Sequence, residues 1–161
     1  MELSRQGVDW ADKALKRLEE IAEGRGFSDL LEEYLKPARE AETMDPRGLV
    51  VEDTESGIKA VIRDVRVEWD GDRPRVVVEY EVGGEAKSFS FTWRVAKRNA
   101  IQTGVWLNDE RALALAVLLG DETIRGKRGT VSLYTSNLLA LARLKGVGWE
   151  LLKWYAEVMG E

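Results

Sequence analysis

Residues 65–95 read VRVEWDGDRPRVVVEYEVGGEAKSFSFTWRV, and the fold turns on them. Val65, Val67 and Trp69 alternate with charged neighbours. Val76, Val78, Tyr80 and Val82 do the same, with Arg75, Glu79 and Glu81 pointing away. Phe89, Phe91, Trp93 and Val95 alternate against Ser88, Ser90, Thr92 and Arg94. A period of two places each apolar set on one face of a pleated strand. Asp70-Gly71 turns the chain between the first two runs, and Gly83-Gly84 is a two-residue hairpin signal between the next two. The pattern predicts a three-strand antiparallel meander with one apolar face.

Just upstream, Ile58, Ala60 and Ile62 alternate on the opposite parity from Val65, Val67 and Trp69. That phase slip predicts a bulge or break near Arg63-Asp64. Downstream, Ile101–Leu107 reads as a further short strand. Asn108 then caps a helix whose first turn holds Asp109 and Glu110, the sign that the helix dipole favours. Its body, Ala112–Leu119, is apolar all round, which predicts burial on every side, and Gly120 ends it. Residues 123–134 read as a hairpin around Arg125-Gly126-Lys127-Arg128-Gly129. Thr135 or Ser136 caps a helix through Leu144, stopped by Gly146. A last helix uses Trp149, Leu152, Tyr155, Ala156 and Met159.

The N-terminal part is helical by the same reasoning. Ala11, Ala14, Leu15, Leu18, Ile21 and Ala22 follow helical spacing over 8–23, and Ser28 caps a second helix that ends near Pro37. The expected fold is therefore α+β: an antiparallel β-meander with N-terminal and C-terminal helices. It forms a single domain over 1–161, with a helical part (1–42), a linker (43–57) holding one short strand at Leu49-Val50-Val51, and a sheet with C-terminal helices (58–161).

The chain has 161 residues, enough for one domain with a real core. It contains no Cys and no His, which removes disulfides, thiolate nucleophiles, Ser-His-Asp triads and Cys/His zinc sites. Asn and Gln are scarce and Glu, Lys and Arg abundant, a thermophile pattern that predicts a melting temperature above ~90 °C. Absence of Cys fits a reducing cytoplasm. The longest apolar run spans ~12 Å as helix, so no membrane span is expected.

Charge is uneven. Residues 94–145 carry a net +5 within a chain of net −5. Arg125, Lys127 and Arg128 project from a glycine-flanked loop, and Arg94, Lys97, Arg98, Arg143 and Lys145 extend the basic segment. Lys and Arg grouped this way suit phosphate, so DNA or RNA is the expected partner. A Gly-x-x-Gly loop also clamps backbone in KH domains, but there it joins two helices, and the β-branched run after Gly129 fits a hairpin tip better. Among the six Trp, Trp69, Trp93 and Trp149 fall on apolar faces. Trp154 falls off the apolar stripe of its helix and is the expected exposed contact. Carboxylate pairs such as Glu79/Glu81 and Glu32/Glu33 read as solvated faces.

Two resemblances add to this. Leu118-Leu119-Gly120-Asp121-Glu122-Thr123-Ile124 resembles the helix end of LAGLIDADG homing endonucleases. That resemblance implies a catalytic Asp121 holding Mg²⁺ against the scissile phosphate. With one motif per chain, it also implies a homodimer joined near Ala112, Ala116 and Gly120. Glu122 stands where that family has glycine, and the same residues also read as a core helix followed by a polar turn. More extensively, Ile62–Trp93 and Gly146–Glu157 resemble the PaRep repeat-associated proteins (type two-b) of hyperthermophilic crenarchaea. This implies a thermophile and a link to mobile elements, and carries no catalytic residues. The functional expectation is a mobile-element-linked, nucleic-acid-associated domain. The alternative is a non-catalytic protein-interaction or oligomerisation module.

Overall fold

The computed structural model describes residues 13, 15–20, 39–96 and 100–159. Within them, β1 (Val50–Glu52), β2 (Lys59–Asp70), β3 (Arg73–Val82) and β4 (Glu85–Thr92) form a four-stranded antiparallel sheet in that order. A second antiparallel sheet orders β5 (Arg94–Val95), β6 (Ile101–Leu107) and β7 (Gly129–Tyr134). The helices are α1 (Asp109–Leu119), α2 (Thr135–Leu141) and α3 (Gly148–Met159). The class is α+β, as the alternation predicts. Residues 15–20 are helical and Leu18 is buried. The rest of the helix expected over 8–23, and the one expected to end or kink at Pro37, lie outside the described residues, except that Arg39, two residues past that proline, is helical. No helix among the described residues is long and apolar enough to cross a membrane.

Gly83 and Gly84 both adopt positive φ, 59° and 79°, and so form the tight turn that matches strand twist between β3 and β4. Val78 then lies opposite Phe89, and Val76 opposite Phe91. Their face is buried, and Tyr80, Phe89, Phe91 and Trp93 run along it with ring centres 5.8–6.3 Å apart. Fully burying side chains of this size contributes roughly 1.5–3 kcal/mol each. The expected bulge is present: register shifts between Ile62 and Asp64, so Arg63 is the extra residue and both flanking parities reach the core. On the opposite face Arg66 lies 2.9–3.1 Å from Asp64, Glu68 and Glu79, and Arg63 pairs with Glu81. These pairs occupy the carboxylates of Glu79 and Glu81.

The third apolar run does not continue as one strand. β4 stops at Thr92, and Arg94-Val95 belongs to the second sheet. Trp93 is the pivot. Its side chain is fully buried and its backbone N–H donates to the Pro74 carbonyl at 3.0 Å. Pro74 has no N–H to return, so the ladder ends there. Thr103 Oγ1 donates to the Thr92 carbonyl at 2.8 Å and ties the two sheets together.

α1 packs against β1, β2, β6 and α2. Asn108 caps it by accepting from the Arg111 N–H at 2.9 Å, and the chain leaves it at Gly120. Ala112 through Ala116, with Leu118 and Leu119, are buried, as the all-round apolar pattern predicts. Ala112 and Ala116 are thus inside the chain's own core rather than presented to a partner.

Three local expectations are corrected. Residues 123–134 are not a hairpin. Residues 122–124 form a single 3-10 turn, and β7 pairs instead with β6, which offers a long free edge. The α2 helix is capped at Tyr134 and ends at Leu141, not Leu144. Leu144 is held in a parallel bridge to Met44, with Met44 N–H donating to Arg143 O and Lys145 N–H to Met44 O. Residues 43–57, read as a linker, carry that bridge as well as β1. Finally, two Trp exchange roles. Trp154 is buried at 5% exposure because α3 packs against both β3 and α2. Trp69 is 45% exposed at the far end of β2, where its Nε1–H donates to Glu150 at 3.2 Å.

Candidate nucleic-acid interface

β6 and β7 pair in unbroken register, from Gln102 opposite Tyr134 to Leu107 opposite Gly129. Alternation sends Ile101, Thr103, Val105, Leu107 and Leu133 inward, all buried. It sends Gln102, Gly104 and Trp106 of β6, with Thr130, Ser132 and Tyr134 of β7, to the outer face. Arg94 of β5 lies opposite Gln102 and completes a row of Arg94, Gln102 and Tyr134 across three strands. Trp106 is 55% exposed and Tyr134 56%. None of these seven positions is acidic.

Trp106 is held in place from one side. Arg111, on the first turn of α1, sets its guanidinium carbon 5.3 Å from the Trp106 ring centre and 5.6 Å from that of Phe89. Its Nη1 donates to the Trp106 carbonyl at 3.2 Å. The Asn108 cap that starts the helix accepts from the Arg111 N–H, so the helix start and the arginine's position have one cause. An indole backed by a guanidinium is attracted to it through the ring quadrupole, and its orientation is restricted.

The basic residues do not form one free patch. Arg125 Nε lies 2.9 Å from Glu122 Oε2, with ion-pair rather than hydrogen-bond geometry. Arg128 Nε donates to Asp109 Oδ1 at 2.7 Å. Lys127 is exposed between them and takes part in no ion pair among the described residues. Arg143 donates to the Ala140 carbonyl and fills the space that Gly120 leaves, and Lys145 is exposed near Asp45. These two stand on the connection between α2 and α3. Arg94 shares the aromatic face, and also borders an open groove with Asp72 and Glu157. Lys97 and Arg98 lie outside the described residues.

Asp121 has local work. Its carboxylate accepts from the Thr123 Oγ1–H at 2.6 Å and the Thr123 N–H at 3.0 Å, capping the 3-10 turn. These bonds, the hydroxyl first, hold its pKa below the usual carboxylate value. Among the described residues no three acidic side chains gather as a metal-binding group.

The residues that the basic-segment reading misses are Gly104, Trp106, Arg111 and Tyr134. Their signal is parity. In Ile101–Leu107 the tryptophan falls out of phase with the four buried positions and in phase with Gln102 and Gly104. Tyr134 likewise shares phase with Thr130 and Ser132.

No curated protein and no solved structure matches the chain, so the likeness of residues 118–124 to homing endonucleases finds no counterpart there. The family model for PaRep2b proteins matches residues 1–159, and the chain belongs to that family.

Proposed function

We propose that this PaRep2b chain is a nucleic-acid-associated domain whose contact surface is the outer face of the small sheet. One observation carries the reading. In a chain of net −5, the seven outward positions of β5, β6 and β7 include Arg94, two half-exposed aromatics and no acid. The outer face of the large sheet is the contrast, since Arg63 and Arg66 there are already paired with carboxylates. Aromatic rings and polar side chains beside Arg94 and Arg111 suit a polyanion that also has flat apolar faces. The mobile-element link rests on the family resemblance. No catalytic step is routed through Asp121, whose carboxylate is engaged by Thr123.

A protein-interaction module is the second reading. It is favoured by the pairing of Arg125 with Glu122 and Arg128 with Asp109, which removes free charge from the basic loop. Anisotropy titrations with labelled single-stranded and duplex oligonucleotides at ~50 mM salt separate the two. Binding that weakens with salt is the expected result. Replacing Arg94 and Lys127 together with Gln should flatten the single-strand salt slope by about 1.4. Absence of binding to DNA and RNA in either form overturns the proposal.

A further inference from the structure

Gly104 stands in the middle of β6 without a backbone reason. It does not have positive φ, and β6 and β7 keep register on both sides of it, so it marks no bulge. A Cβ placed there would meet only Thr130 Cγ2 at 3.7 Å, an ordinary contact, so packing does not demand glycine either. Glycine inside a strand weakens it, and with bulge and bend absent the remaining role is close approach by a ligand. The bare position lies between the two exposed rings. Trp106 is two residues along β6 in one direction. Tyr134 sits opposite Gln102, two residues the other way. At ~3.3 Å per residue along the strands and ~4.8 Å between them, the two rings stand on backbone about 14 Å apart.

We propose that this face takes single-stranded nucleic acid, stacking separate bases on Trp106 and Tyr134 while the strand between them lies against the bare backbone at Gly104. The proposal rests on the nucleic-acid reading above and adds which form is bound, and how. Duplex bases are covered by their neighbours at about 3.4 Å, so only unstacked bases can use rings so far apart. Arg111 covers one side of Trp106 and leaves the exposed remainder of the ring for a base. Gln102 and Ser132, 3.4 Å apart across the strands, supply donors and acceptors between the rings, and none of the seven outward strand positions is a carboxylate that would repel phosphate. Stacking is tolerant of sequence, so recognition is of strandedness more than of base identity.

The test compares Trp106→Ala, Tyr134→Ala and Gly104→Thr with the unaltered chain on dT and U oligomers of about 15 nucleotides and on a duplex of equal length. Each aromatic truncation should weaken single-strand binding about 10- to 100-fold, the scale of one base–aromatic stack, and leave the salt slope unchanged. Gly104→Thr should block the same ligands while the melting temperature holds. Unaltered single-strand affinity in all three variants overturns this inference and leaves the nucleic-acid reading standing. Equal affinity for duplex has the same meaning. If the unaltered chain binds no nucleic acid, both fall. If it self-associates through this face, and the aromatic variants dissociate it, the surface is a protein interface and the inference is overturned.

Discussion

The Glu42 carboxylate accepts from the Trp149 N–H at 3.0 Å, and its other oxygen accepts from the Gly146 N–H at 3.0 Å. A residue more than a hundred positions upstream thus caps the start of α3. Glu42 itself sits at φ 54°, a conformation that favours glycine, and its own N–H donates to the Ala142 carbonyl. Replacing Glu42 with Ala leaves those amides without their acceptor and should cost about 1 kcal/mol, the usual worth of a helix cap. Gln keeps one acceptor oxygen and should lose about half as much. Urea denaturation of the three chains checks the order.

Gly148 and Gly104 should behave oppositely. A Cβ at Gly148 would fall 2.1 Å from the Ala142 carbonyl oxygen, backbone that cannot step aside. Gly148→Ala should therefore destabilise by about 1–3 kcal/mol or more through overpacking. Gly104→Ala meets only ordinary contact and should be neutral or slightly stabilising, because it reduces the unfolded chain's freedom. Calorimetric midpoints of the two variants make the comparison.

The bulge makes a deletion prediction. Ile62 and Val65 both face the core with Arg63 as the extra residue between them. Deleting Arg63 restores strict alternation and keeps every core residue inward. Deleting Arg66 instead shifts one flank of β2 by one position and turns its apolar set to solvent. The first variant should stay folded and the second unfold, which far-UV circular dichroism distinguishes.

These elements show what the sequence makes legible. The slip at Arg63 and the Asn108–Gly120 helix are local, each written within a few residues, and both are readable as patterns. Trp93 is different, because the apolar alternation runs straight through it. Only the missing N–H of Pro74, on another strand, ends the ladder. β7 is missed for a related reason. Its partner β6 lies more than twenty residues upstream, whereas a hairpin reading seeks a neighbour. Trp154 defeats a one-face reading because its helix is packed on two sides. At the candidate interface, the charge count marks the segment that holds β5, β6 and β7 but not which of its cations are engaged. Which cations are neutralised depends on Asp109 and Glu122 reaching them in space.

Acid should weaken the fold in a defined window. The Arg47 side chain, and then its N–H, hold the Asp45 carboxyl down at about 2, and Thr123 lowers Asp121 in the same way. An unfolded Asp titrates near ~3.9. The contribution is therefore complete above about pH 4 and is lost as pH falls through about 2. Melting temperature followed from pH 5 to 2 should decline, and Asp45→Asn should make that decline shallower. A carboxyl NMR titration with the Asp45 midpoint near 4 would contradict the assignment.

The outer face of β5, β6 and β7 is the surface proposed to meet nucleic acid. Photo-crosslinking with a bromouridine-substituted single strand, read by peptide mass spectrometry, tests it most directly. Adducts are expected at Trp106 or Tyr134 and should be lost on competition with unlabelled single strand. Adducts confined to the outer face of β2 and β3, or to the α2–α3 connection at Arg143 and Lys145, would contradict it.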